Sequence, residues 1–134
     1  MRGRIAIGSI EAAQARRDAR IADALRCARL LDREYLAWTK VFAAIVRACA
    51  ENAAGRRDAA IAQLRLALEL MEANHVFAYR DAVRCRLGQL LGGDDGMSLT
   101  ARAKENIAAQ GIRSPERWVR FILPGGWGDP PGVR

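Results

Sequence analysis

The sequence predicts an all-α fold built from short antiparallel helix pairs, and three observations carry that prediction. Alanine fills 26 of the 134 positions; it is the best helix former and small enough to let helices cross closely. Aromatic residues are only 6% of the chain and β-branched ones are thinly scattered, so the residues that favour strands are few. Apolar residues recur at helical spacing over most of the length, separated by short polar or glycine-containing breaks.

Taken in order, residues 2–9 read as a short helix or the stump of a longer one. Over 16–34, Ile21, Leu25, Ala28 and Leu31 recur at helical spacing. Over 35–54, Trp38, Phe42, Ile45 and Cys49 form a stripe, and Gly55 falls where a helix-ending glycine belongs. The next helix covers 58–73, with Ile61, Leu64, Leu68 and Met71 inward and Gln63, Glu69 and Glu72 outward. Asp58 sits in its first turn, where the macrodipole favours an acid. Residues 77–91 carry Tyr79, Val83, Leu87 and Leu90, and the glycine-rich run 92–96 breaks that helix. Asp94 or Asp95 is placed to cap a following helix bearing Leu99, Ala103 and Ile107, which stops at Gln110-Gly111. Ser114-Pro115-Glu116 reads as N-cap, first-turn proline and first-turn acid of a last helix over 115–123, presenting Trp118 and Ile122. Residues 1–123 thus form the helical domain, and the Gly/Pro-rich 124–134 reads as a flexible tail. Short turns make successive helices antiparallel neighbours, as an up-down bundle or a stack of hairpins.

The repeat pattern favours the stack. Ala48, Gly55, Ala60, Leu64, Ala67 and Leu70 resemble one tetratricopeptide repeat over 41–72, and the run 55–70 is close to its second half. A second, degenerate hairpin begins near Asp81, with Leu87-Gly88 in place of the repeat's Leu-Gly pair and Thr100 where alanine is usual. Arg47 occupies a site that is normally apolar, and Ala48 and Gly88 lie 40 residues apart, against about 34 in the standard repeat. The expected fold is therefore a short tetratricopeptide-like right-handed superhelix closed by a C-terminal capping helix. A narrower resemblance rests on 87–96 (LGQLLGGDDG) and 109–117 (AQGIRSPER), with Arg2-Gly3-Arg4, 31–34, Trp38 and 55–57 in similar order upstream. These segments look like the C-terminal region of large bacterial serine/threonine protein kinases that carry an AAA-type ATPase module. The chain has no kinase signature and no Walker loop. The resemblance thus implies a scaffold or sensor end without the catalytic end.

The net charge is +7, from 20 Arg and 2 Lys against 15 acids, with Asp18, Asp23 and Asp32 interleaved among the arginines of 16–33. No run of five or six like charges is present, so the expectation is solvated helix faces, with an Arg-rich nucleic-acid-binding domain as the alternative. No signal peptide or membrane-length apolar stretch is apparent, which points to the cytoplasm and no membrane partner. Cys27, Cys49, Cys85 and His75 share no metal-site spacing, so the thiols read as core residues, His75 as a helix-end residue, and neither metal nor cofactor is expected. Asp94-Asp95 lacks the alternating acids of a calcium loop. Trp118, Phe121, Ile122 and Trp127 read as a capping element or a docking anchor, the former favoured because terminal repeats cover their apolar face. The function expected is a non-catalytic protein–protein interaction module that holds a protein or peptide partner. In hairpin stacks the groove residue follows the small one on each first helix, which singles out Cys49 and Gln89, with Asn52 one turn further on, and Asn52 and Gln89 are the expected contacts.

Overall fold

The computed structural model describes residues 2–32 and 37–128, with side chains for 11–30 and 38–128. These residues form six helices: α1 (Arg2–Asp32), α2 (Ala37–Ala53), α3 (Arg57–Asn74), α4 (Arg80–Leu91), α5 (Gly93–Ala109) and α6 (Pro115–Ile122). Each helix packs on the next through α5, and α6 lies against both α4 and α5. The short connections make the packed pairs antiparallel. Among the described residues no helix is long and apolar enough to cross a membrane.

The first long helix starts before residue 16: α1 runs unbroken from Arg2, so of the two readings of 2–9 the longer helix is the one observed. Nothing in 2–15 is a proline, and Gly3 and Gly8 alone do not stop a helix whose other residues favour it. Residues 11–20 are all exposed, so that stretch of α1 shows no buried apolar stripe. Cys27, expected in the core, is exposed, while Ala28 beside it is buried.

The helix α2 is packed on both sides, by α1 and by α3. Its buried residues are Val41, Ala44, Ile45 and Ala48, with Ala43 and Ala50 as well. The expected stripe is therefore rotated: Phe42 and Cys49 are half-buried and Trp38 is 49% exposed. The aromatic residues lie on a third side of α2, where Trp38 meets Phe42 and Phe42 meets Tyr79. In α3 the expected inward residues Ile61, Leu64 and Met71 are in the core beside Ala60 and Ala67, but Gln63, expected outward, is half-buried with its side-chain oxygen inside. The helix ends at His75, whose N–H donates to the Met71 carbonyl and whose left-handed φ of 56° turns the Val76 N–H back onto the same oxygen at 2.9 Å.

Residues 76–79, of which 77–79 were expected to be helical, form the turn into α4. The glycine loop expected between α4 and α5 is a single residue, Gly92, and Asp94 and Asp95 lie in the first turn of α5 rather than at its cap. Gly88 and Gly96 mark the crossing of these helices. A Cβ at Gly88 would come within 2.6 Å of the Gly96 carbonyl oxygen, so the backbones meet as only glycines permit. Thr100 Oγ1 donates to the Gly96 carbonyl at 2.9 Å. Buried Asp81 joins the same two helices, accepting from Asn106 at 3.2 Å and Gln110 at 3.4 Å and pairing with Arg84 at 3.5 Å. The Ser114 hydroxyl caps α6, accepting from the Arg117 N–H.

A row of rings ties α2, the turn before α4 and α6 together. Trp38, Phe42, Tyr79, Trp118 and Phe121 follow one another at centroid separations of 6.0, 5.2, 6.2 and 6.4 Å. Such offset and edge pairs add about 0.5–1.5 kcal/mol each beyond their burial. Phe121, at the end of the row, is 78% exposed.

Candidate functional site

The two residues expected to make contacts, Asn52 on α2 and Gln89 on α4, lie under the same stretch of chain. That stretch is the start of the expected tail, and the expectation of a loose end is corrected there. Residues 123–128 leave α6 and fold back over the C-terminal halves of α2 and α4 as a strap. The remainder of the tail, 129–134, lies outside the described residues. Asn52 Nδ2 donates to the Gly126 carbonyl at 2.7 Å. A Cβ on Gly128 would collide with the Gln89 carbonyl oxygen, and Gly128 has a φ of 67°, so glycine is required there on both grounds.

Arg86 anchors the strap, and sequence reasoning missed it. Its guanidinium donates through Nε and Nη2 to the Leu123 carbonyl at 3.0 and 2.6 Å and through Nη1 to Gln89 Oε1 at 2.9 Å. The same group lies 5.4 Å from the Trp127 ring centroid, within cation–π range. Arg86 is 8% exposed, Leu123 fully buried and Trp127 3% exposed. The Trp127 indole N–H donates to the Pro124 carbonyl at 3.1 Å, which closes the strap on itself. A signal for Arg86 was present: it falls three residues after Val83 and four before Leu90, on α4's buried side.

Between α1, α2 and the strap lies an open trough of about 500 Å³. Its floor is Ile21, Ala24, Ala50, Ala53 and Cys49, its rim carries Arg16, Arg17 and Arg20, and Pro124 and Gly125 form one wall. Asn52 lines the adjoining hollow with Arg17. Burial pushes the Cys49 thiol up to about 11 against the opposing charge of Arg86. Burial likewise raises Cys85, with Lys104 and Arg86 opposing. Neither thiol is a thiolate near neutral pH, and the thiolate is the nucleophilic form. The structure does not gather Cys27, Cys49, Cys85 and His75: among the described residues no cluster of three or more His, Cys, Asp or Glu could hold a metal.

Comparison of the chain with family models, curated proteins and solved structures finds no match. The site is therefore read from its own chemistry. It offers side-chain donors aimed at main-chain carbonyls, an apolar floor and three arginines.

Proposed function

We propose that the chain is a non-catalytic protein–protein interaction module whose binding face is made by α1, α2 and α4 beside the strap. The observation that carries this reading is the strap itself. Asn52 and Arg86 grip an irregular stretch of backbone by its carbonyls, and a peptide in trans offers the same groups. Stacking of the α2–α3 and α4–α5 pairs in the tetratricopeptide manner, with α6 as the closing helix, fits this use. The resemblance to the repeat regions of bacterial serine/threonine kinases with an AAA-type module supplies a signalling context in the cytoplasm. Reading the genomic DNA upstream of the Met1 codon for such a module in frame tests that context.

The binding reading is tested by selecting a displayed peptide library on the purified chain and on the Trp127→Ala variant, in which the strap is loosened. Enriched peptides should bind with Kd in about the micromolar range. They should bind more tightly to the loosened variant and about tenfold more weakly to Asn52→Ala. A selection that enriches nothing on either protein overturns the proposal. The second reading, a nucleic-acid-binding domain, draws on the Arg16, Arg17 and Arg20 row. A DNA or RNA mobility shift at two salt concentrations decides it, since phosphate contacts weaken steeply with salt.

A further inference from the structure

The trough between α1 and α2 has a row of arginines on its rim that pairs with no acid among the described residues. Arg16, Arg17 and Arg20 make no ion pair or hydrogen bond among the described residues. The acids interleaved with them in sequence face away from the trough: Asp18 accepts from Gln14 Nε2 at 3.0 Å on the neighbouring hollow, and Asp23 pairs with Arg26 at 3.4 Å. Among the described residues, no acidic side chain lines the trough. Three cations in a row beside an apolar floor are a complement to a negatively charged, partly aliphatic ligand.

Three features choose among such ligands. No aromatic ring among the described residues lines the floor, so nucleic-acid bases find nothing to stack on. The trough is open along its length, so a long acyl chain would stay wet on one side. Asn52 spends its amide on Gly126 and leaves its side-chain oxygen without a partner among the described residues, placed to accept a backbone N–H. An apolar floor, a row of guanidiniums and an amide oxygen together match the side chains and main chain of a peptide.

We infer that this trough binds an acidic peptide segment, with carboxylates on Arg16, Arg17 and Arg20 and aliphatic side chains on Ala24, Ala50 and Ala53. The inference rests on the peptide-binding reading and supplies its partner's chemistry. From Ala13 to Ala24 the floor runs about 16 Å at ~1.5 Å per helical residue, which about five residues of extended peptide cover. Arginine suits the role because its planar fork meets a carboxylate with two parallel hydrogen bonds.

The test is fluorescence anisotropy on the full chain with a labelled peptide of about eight alternating Glu and Leu residues, long enough to overrun the floor. The expected result is saturable binding, about tenfold weaker for the Gln-Leu counterpart and weakening as salt screens the pairs. Reversing Arg16, Arg17 and Arg20 to Glu should cost about tenfold or more. Reversing the exposed Arg102, Arg113 and Arg117 should cost less than about twofold, although the net charge changes equally. Circular dichroism of both triple variants reads retention of the helices. Equal binding of the Glu and Gln peptides overturns the inference, as does equal loss in the two triple variants. Single-stranded DNA that binds as tightly as the peptide, and loses affinity with the first triple variant alone, overturns it too and assigns the row to a polyanion. If library peptides bind in an Asn52-dependent manner but ignore the first triple variant, the peptide-binding reading stands and the acidic partner falls.

Discussion

At the scale of single residues, the most consequential side chain is one that composition gives no reason to notice. Arg86 brings a cation under the strap and spends it on a main-chain carbonyl, an amide oxygen and an indole face. Trp127 is its partner, and Trp127→Ala should lower stability by about 3 kcal/mol, the low end of the range for such truncations. The strap can lift and relax, so little cavity is left behind. Urea denaturation reads the loss. Tryptophan emission should shift to the red, because the remaining Trp38 is 49% exposed and Trp118 half-buried. The thiols give a second prediction. The pKa of Cys49 is raised by burial from an ordinary value of 9.0 to about 11, so the folded state holds this proton more tightly than the unfolded chain. Its contribution to stability is complete below pH 9 and is lost as pH climbs to about 11. Urea midpoints across that window should fall more steeply for the wild type than for Cys49→Ala. Arg86 was legible in principle, as an arginine on an apolar stripe. The pairing of Asn52 with Gly126 was not, because it spans 74 residues and only the folded chain brings those groups together.

Among elements, legibility follows side-chain size. The helix α3 can be read because Leu64 and Met71 stand out from their surroundings. The stripe of α2 is hard to place because its interior is largely alanine, and alanine gives periodicity little contrast. The middle of α1 is hard to read because residues 11–20 are all exposed and show no inward face. The crossing of α4 and α5 is half legible: Gly88 stands out in the repeat pattern, but its contact with Gly96 does not. Gly88→Ala would improve helix propensity by about 1 kcal/mol. It should nonetheless destabilise the protein by about 1–3 kcal/mol, because the added methyl meets Gly96 backbone and Thr100. Thermal melting of the variant checks the sign, and Gly96→Ala should behave alike.

For the whole molecule, the buried cluster runs from α2 through α6 into the strap, with Leu64, Met71, Ile107, Leu123 and Trp127 among its members. Residues 11–20 of α1 lie outside it and are all exposed. Amide hydrogen exchange should therefore be fastest in that half of α1 and slowest in α2 to α5. Uniform protection along α1 would contradict this. The order of helices and most of their boundaries follow from periodicity and caps, as with Ser114 and Gly55. What periodicity does not give is the return of the chain after Leu123, since a Gly-Gly-Trp run after a proline has the composition of a loose end.

One contact unites the two helix pairs in a way that short repeats do not require. Arg57, at the first turn of α3, donates through Nε to the Leu90 carbonyl at 2.8 Å and through Nη2 to the Leu91 carbonyl at 3.4 Å. A cation from one hairpin thus closes the carboxyl end of α4 in the next. In a simple array each repeat can open separately, its stability the sum of its own and its neighbours' terms. Here the last turn of α4 is closed both by its own Gly92 N–H on the Gly88 carbonyl and by a side chain from α3. Loss of that side chain in Arg57→Ala should therefore loosen the junction of the two hairpins, read as faster amide exchange at the end of α4 than at its start.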